Sequence, residues 1–217
     1  MKKLLALLLC LLMAMSMSVV AFAETAEEAP AEEAAAEAPA EETAEEPAAG
    51  ETAEEGAVTI SLPILMTSAG QSADVQMFNA IASRSGVEAT ARELVEADDI
   101  EVGEYNTLVI VVGGSSKGLG AAGIDAEQEQ ARVDAIIEKL KDSVTIVVAH
   151  IGGQARRGEL SDGFINAVLP YAQYLIVVEE GDSDGLFSNY AAENNIPISI
   201  CPDIASVGEV FAGLISG

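Results

Sequence analysis

Apolar runs rich in β-branched residues alternate with helix-like patterns along residues 57–217. Three of the runs are related in sequence: IVVGG begins at Ile110, IVVAHIGG at Ile146 and IVVEEG at Ile176. Runs that are apolar at successive positions are typical of strands covered on both faces, as in a parallel sheet. Between the first two runs, residues 125–140 repeat apolar side chains at the spacing of one helix face. The pattern therefore predicts alternating strands and helices.

The same patterns predict where each element lies. Strands are expected at residues 61–66 and 87–91, near Leu108, Val144 and Leu175, and at residues 197–201. Helices are expected at residues 72–84 and 126–140, from about Ser161, at residues 184–193 and from about Val207. Asp125 and Gln128 resemble a capping box, which sets the expected start of the second helix at residue 126.

This alternation predicts an α/β fold with one doubly wound parallel sheet in three αβα layers. The second strand is short and contains Glu88 and Thr90, as suits an exposed edge, so we expect the flavodoxin-like order 2-1-3-4-5-6. Right-handed crossovers bring the C-terminal ends of all strands to one edge of the sheet. Ligands bind where the strand order reverses, between the first and third strands, and the loops TSAGQS (67–72) and GGSSKGLG (113–120) flank that point.

Residues 1–23 have the features of a secretory signal peptide. Two lysines precede an apolar run, and Ala21-Phe22-Ala23 is a small-x-small cleavage site. The run is also about long enough to serve as an uncleaved membrane anchor, but its serines and the cleavage site favour removal. Cys10 follows Leu9 rather than a small residue, so no lipid attachment is expected. We expect a protein that is secreted or associated with the cell envelope, with no membrane span after cleavage.

Residues 24–56 consist only of Ala, Glu, Pro, Thr and Gly. They have no large apolar side chain to bury and their 13 glutamates repel one another, so a disordered acidic linker is expected. The remaining residues, 57–217, are sufficient for one flavodoxin-like domain with a full core.

Charge and cysteine usage exclude several kinds of partner. The chain has a formal net charge of −26, and residues 57–217 hold 23 acidic and 8 basic side chains, a net −15. Nucleic acids and anionic membranes need clustered positive charge, so neither is expected to bind.

After signal cleavage Cys201 is the only thiol, and His150 is the only imidazole, so we expect neither an intrachain disulfide nor a metal site. The oligomeric state is left open.

The glycine-rich loop after the third strand fits two motifs of known enzymes. Gly114, Gly118 and Gly120 resemble the G-x-x-x-G-x-G loop of short-chain dehydrogenases, but that loop follows a first strand and the chain has no Tyr-x-x-x-Lys. Residues 114–118 also resemble the G-x-S-x-G elbow of serine hydrolases. A hydrolase or transferase that uses Ser116, with Lys117 or His150 as base, is therefore an open alternative.

The loop after the first strand is similar to the phosphate loop of flavodoxins, with Ala69 in place of a hydroxyl residue. A flavin ring also needs aromatic faces, and neither GGSSKGLG nor HIGGQARRGELSD contains an aromatic residue besides the histidine. A smaller phosphate or carboxylate could still use backbone amides at a helix start. No cofactor is expected.

Three of the domain's 8 basic residues, Lys117, Arg156 and Arg157, follow two adjacent strands. Positive charge beside glycine amides and small hydroxyls attracts anions, so we predict a site for a small anionic molecule. The candidate ligand-binding residues are Ser68, Gly70, Gln71, Ser72, Gly114, Ser115, Ser116, Lys117, His150, Arg156 and Arg157. In the competing interpretation, both arginines pair with Glu159, Asp162 or the acids of EEGDSDG, His150 only fixes its loop, and the protein is a structural or partner-binding surface protein.

Four blocks of the sequence are similar to an exported bacterial family classed as a domain of unknown function, number 6305. The blocks are LPILMTSAGQSAD, VVGGSSKGLGAAGIDAEQE, HIGGQARRGELSD and VVEEGDSDGLF, in that order. The resemblance covers residues 58–215 and implies one exported α/β domain. It implies no activity and no catalytic residue, so a function has to be argued from the site.

Overall fold

A single sheet of six parallel strands organises the domain, in the order 2-1-3-4-5-6. The structure is a computed structural model that describes Val58 and residues 60–215. The strands are β1 (Ile64–Ala69), β2 (Thr90–Ala91), β3 (Thr107–Val112), β4 (Thr145–His150), β5 (Tyr174–Val178) and β6 (Ile198–Cys201). The predicted fold class and strand order are confirmed. The predicted signal peptide (1–23) and linker (24–56) lie outside the described residues.

The described residues form six α-helices, five of which cover the two faces of this sheet. The six helices are α1 (Asp74–Arg84), α2 (Ser116–Ala122), α3 (Ala126–Leu140), α4 (Glu159–Val168), α5 (Leu186–Asn194) and α6 (Val207–Gly213). Helices α3, α4 and α5 pack on one face, while α1 and α6 pack on the other, where the rings of Phe78 and Phe211 are 5.0 Å apart. Within the described residues, no helix is long and apolar enough to cross a bilayer.

Strand β3 shows why the central strands are apolar at every position. Leu108 and Ile110 belong to the core beneath α3 and α4, whereas Val109 and Val111 belong to the core beneath α1 and α6. Successive side chains of a strand point to opposite faces, so a strand with helices on both sides has no solvent-facing position.

The two strands nearest the N-terminus differ from their predicted bounds. Strand β1 starts after Pro63, which has no amide hydrogen to donate to a sheet, and continues to Ala69 through Thr67 and Ser68. The hydroxyl of Thr67 is accommodated because it donates to the carbonyl of Arg92 at 2.9 Å. Strand β2 contains only two residues and forms one edge of the sheet.

Helix α2 was not expected, because its sequence SKGLGAA contains two glycines and fitted loop motifs. The Ser115 hydroxyl caps its start by accepting a hydrogen bond from the amide of Gly118 at 3.0 Å, and Gly123, at φ +73°, ends it. These two caps offset the low helix propensity of the internal glycines.

Helix α3 begins at Ala126, as predicted from its capping box. The Asp125 carboxylate accepts from the Gln128 amide at 2.8 Å, and the Gln128 side chain accepts from the Asp125 amide at 3.0 Å. We expect Asp125→Ala to lower the free energy of unfolding by about 1 kcal/mol, because it removes this cap. Urea unfolding measures the change, and Glu127→Ala, an exposed acid in the same turn, is the matched control. A loss equal to that of the control would contradict the assignment.

Candidate functional site

A cleft of about 640 Å³ lies beside the C-terminal ends of β1 and β3, where the strand order reverses. We call it the switch-point cleft. Its polar and charged lining comprises Gln71, Ser72, Glu93, Ser115, Lys117 and Arg156. Five of these six are residues that the sequence predicted for an anion site, and the structure brings them together. The sixth, Glu93, was not predicted.

The two loops that form the cleft are joined by backbone hydrogen bonds. Gln71 and Gly114 pair in an antiparallel bridge, and the Ser115 amide donates to the Gly70 carbonyl at 2.8 Å. Gly118 allows α2 to approach this close, because a Cβ at that position would lie 1.8 Å from the Gln71 carbonyl oxygen. The walls of the cleft are therefore fixed relative to one another.

The predicted role of the glycine amides has to be corrected. The Gly70 amide donates to Glu129 Oε1 at 2.9 Å, and the Gly114 amide donates to the Ser161 hydroxyl at 2.8 Å. A buried amide needs a partner, and these two have one inside the protein. Neither is available to hold an anion in this conformation.

Ser68 also lies outside the cleft. It is in β1 and fully buried, and its carbonyl accepts from Arg132 Nη2 at 2.6 Å. Its hydroxyl is one of two buried side-chain atoms with no hydrogen-bond partner among the described residues, and the other is Asp74 Oδ2. The predicted ligand contact of Ser68 is therefore not available in this structure.

A buried ion pair supports the loop after β1. Glu129 and Arg132, one turn apart on α3, are joined at 2.9 Å, and their side chains are 0% and 3% exposed. Glu129 Oε1 also accepts from Gln71 Nε2 at 3.0 Å, and Arg132 Nη1 donates to the Val95 carbonyl at 2.8 Å. The pair thereby connects α3 with the loop after β1 and with the segment that contains Val95, next to the cleft residues Glu93 and Leu94.

This ion pair was not predicted from the sequence, although the sequence contains a signal for it. Glu129 lies four residues before Val133, and Arg132 lies four residues before Ile136, on the apolar face of α3. A charged pair on the buried face of a helix has to satisfy its charges within the protein.

Arg157 closes two loops and does not line the cleft. Its Nε donates to Asp162 at 2.7 Å, and its two terminal nitrogens each donate to one oxygen of Asp184 at 2.9 Å. Its guanidinium also donates to the Gly181 carbonyl at 2.6 Å and lies over the Phe187 ring. The predicted ligand role of Arg157 is replaced by the structural pairing that the sequence left as an alternative. These contacts raise the pKa of Arg157 and lower the pKa of Asp184 to about 2.

His150 is fully buried, and its ring is stacked on Phe187 with the centroids 5.3 Å apart. Its Nδ1 lies 3.1 Å from the Val112 carbonyl oxygen and its Nε2 lies 3.2 Å from the Gly153 carbonyl oxygen. Burial lowers the pKa of His150, against the opposing effect of the two carbonyls. His150 fixes its loop and does not reach the cleft.

The geometry does not support the Ser116 and His150 pair as nucleophile and base. Ser116 is an exposed residue at the start of α2, and no hydrogen bond joins it to His150 among the described residues. Both ring nitrogens of His150 face carbonyl acceptors, so neither is free to accept the serine proton. Within the described residues, there is also no cluster of three or more His, Cys, Asp or Glu side chains that could hold a metal ion.

Arg156 and Lys117 supply positive charge to the cleft. Arg156 Nε lies 3.5 Å from Oδ1 of the buried Asp74, while the arginine side chain is 38% exposed. Gly152 leaves room for this arrangement, because a Cβ there would lie 2.1 Å from Arg156 Cγ and 2.7 Å from Asp74 Oδ2. Lys117 is exposed and forms no ion pair or hydrogen bond within the part of the chain that the structure describes.

Comparison with protein families identifies the domain. The family model described as "Domain of unknown function (DUF6305)" matches residues 61–215. The chain belongs to this family. Among solved structures, the DUF6305 domain is similar to one from Desulfitobacterium hafniense DCB-2 that is assigned to the lipolytic proteins of the G-D-S-L family. That match has 14% sequence identity and a TM-score of 0.33, and covers 70% of this chain and 98% of the other. Comparison with curated proteins gives no match.

The buried ion pair of the DUF6305 domain gives a stability prediction. Arg132→Met leaves the Glu129 charge buried without its partner, so we expect the free energy of unfolding to fall by about 3–5 kcal/mol. The double variant Glu129→Gln/Arg132→Met removes both charges and is expected to recover part of that loss. Urea unfolding measures both, with Arg92→Met as control, because Arg92 pairs with Asp99 at 3.9 Å on the surface. Equal losses for Arg132→Met and Arg92→Met would contradict the role of the buried pair.

The Arg157 contacts predict a pH dependence. The pKa of Asp184 is about 2 in the folded domain, whereas the ordinary pKa of an aspartate, which applies to the unfolded chain, is 3.8. Because the folded pKa is the lower one, the pairing stabilises the fold fully above about pH 4. That stabilisation is lost as the pH falls towards 2. We expect Asp184→Asn to be less stable than the unmodified protein at pH 7, by on the order of 1 kcal/mol because the pair is partly exposed. The difference should disappear near pH 2 in urea unfolding, and a difference independent of pH would contradict the assignment.

Proposed function

We propose that the domain binds a small anionic molecule in the switch-point cleft. The observation that supports this proposal is the convergence of Lys117 and Arg156 on one cleft, at the reversal of strand order. The two residues are far apart in sequence and follow different strands. Most of the domain's other basic residues form hydrogen bonds or ion pairs within the described residues. Two basic residues with free donors in one cleft therefore favour an anion site.

Arg156 has the chemistry required to hold a carboxylate or a phosphate. Its Nε faces Asp74, and no hydrogen bond occupies its terminal nitrogens within residues 58 and 60–215. A guanidinium can donate two parallel hydrogen bonds to one such group. The buried Asp74 carboxylate limits the positions of the Arg156 side chain, which reduces the entropy lost when a ligand binds.

The hydroxyl groups of the cleft can donate to the anion, and the side-chain amide of Gln71 supplies an acceptor. Ser72 and Ser115 line the cleft, as does Gln71, whose Nε2 donates to Glu129 and to the Glu93 carbonyl. Because these contacts fix Gln71, its side-chain oxygen is held as an acceptor for any donor group of the ligand. Lys117 adds an exposed positive charge to the lining.

The proposal also assigns the protein to the outside of the cytoplasm, as a secreted or envelope-associated protein. The support is the sequence of residues 1–23, and the acidic residues 24–56 are suited to a spacer between the membrane and the domain. The protein would therefore bind its ligand outside the cytoplasm.

The binding proposal is tested by calorimetric titration of the purified protein with inorganic phosphate and acetate. We expect Arg156→Gln and Lys117→Gln each to raise Kd by about 10-fold or more, because a hydrogen bond to a charged group contributes about 1.5–3 kcal/mol. Binding should also weaken as sodium chloride is added.

Arg84→Gln is the matched control, because Arg84 is an exposed arginine in the last turn of α1. It should leave Kd unchanged. Circular dichroism and the thermal midpoint of each variant establish that it is folded. Absence of binding by the unmodified protein, or an Arg156→Gln variant with unchanged Kd, would count against the proposed site.

A further inference from the structure

The switch-point cleft is lined by an acidic residue as well as by two basic residues. Glu93 lines the same cleft as Lys117 and Arg156. Its backbone carbonyl accepts from Thr67 and Gln71, but its carboxylate forms no ion pair or hydrogen bond among the described residues. The cleft therefore presents free groups of both signs.

These charges do not neutralise each other directly. No ion pair joins Glu93 to Lys117 or Arg156 within the described residues, although all three line one cleft of about 640 Å³. A ligand with only negative charge would approach Glu93 as a like charge, which opposes its binding. A ligand that also carries an ammonium group would satisfy the carboxylate and the cations together.

The lining of the cleft also includes apolar side chains. Leu94 is 43% exposed at the cleft, and Ala121 and Ala122 contribute methyl groups from α2. A cleft of this volume is in the range of organic ligands and exceeds the space that one charged group needs. An apolar substituent next to the charged groups would cover Leu94 and remove it from water.

We propose that the ligand of this cleft is a zwitterion with an apolar side chain, such as an apolar α-amino acid. This inference rests on the proposed anion site, which would hold the carboxylate of the ligand, and it adds a partner for an ammonium group. The carboxylate of the ligand is held by Arg156 and Lys117, and its ammonium group donates to Glu93. The side chain of the ligand packs against Leu94.

A matched pair of probes tests the ammonium contact. Leucine and 4-methylpentanoate have the same carbon skeleton and carboxylate, and only leucine has the ammonium group. In calorimetric titrations at pH 7 we expect the unmodified protein to bind leucine about 10-fold or more tightly than 4-methylpentanoate.

Substitution of Glu93 should change the two affinities in opposite directions. Glu93→Gln removes the partner of the ammonium group, which weakens leucine binding, and removes a repulsive charge, which strengthens 4-methylpentanoate binding. A variant that was merely misfolded would weaken both. Glu96→Gln, three residues away and exposed, is the control and should change neither. Leu94→Ser should weaken the binding of leucine and leave that of glycine unchanged.

The outcomes separate this inference from the proposed function. If both probes bind with equal affinity and Glu93→Gln changes neither, the zwitterion inference is overturned, while a loss of binding in Arg156→Gln still supports an anion site. Tighter binding of 4-methylpentanoate than of leucine also overturns the inference. If no probe binds and phosphate and acetate fail as well, both proposals are overturned.

Discussion

The buried ion pair between Glu129 and Arg132 is the interaction on which the candidate site depends. An unpaired charge in the interior costs several kcal/mol, so both side chains have to be satisfied within the protein. They are satisfied by the Gly70 amide, the Ser68 and Val95 carbonyls and the Gln71 side chain. The loop after β1 is therefore held in one conformation, with Gln71 at φ +56°, and this loop forms one wall of the switch-point cleft. Core energetics and site geometry thus depend on the same hydrogen bonds.

Arg156 and Arg157 show how neighbouring residues acquire different roles. Arg157 contacts Asp162, Asp184 and Phe187, so it joins the loop after β4 to the N-terminal part of α4 and to the segment before α5. Arg156 is the last residue of a short 3-10 helix, and its side chain lies towards α1, where Asp74 is its partner. The bidentate contact of Arg157 with Asp184 leaves its terminal nitrogens occupied. Arg156 has one ion-pair contact, at 3.5 Å, among the described residues, and that contact leaves its terminal nitrogens available there.

The fold followed from the sequence because its signals are local and repeated. Fully apolar runs indicated buried parallel strands, the short polar segment near Glu88 indicated an edge, and the pair of Asp125 and Gln128 located the start of α3. The location of the cleft followed from strand order alone. The hydrogen-bond partners of individual buried groups could not be predicted from the sequence, because they depend on contacts between segments far apart in the chain. The Gly70 amide and the Gln71 side chain both donate to Glu129, which is 59 and 58 residues away in the chain.

The acidic character of the domain bears on the selectivity of the proposed site. A net charge of −15 over residues 57–217 repels anions at long range, and salt screens this repulsion beyond about 8–10 Å. Within the cleft, Glu93 opposes an anion at short range, where screening is weaker. Two cations alone therefore give limited affinity for a simple anion. A ligand that carries an ammonium group converts the contribution of Glu93 from repulsion to attraction, so the same carboxylate excludes one class of ligand and favours another.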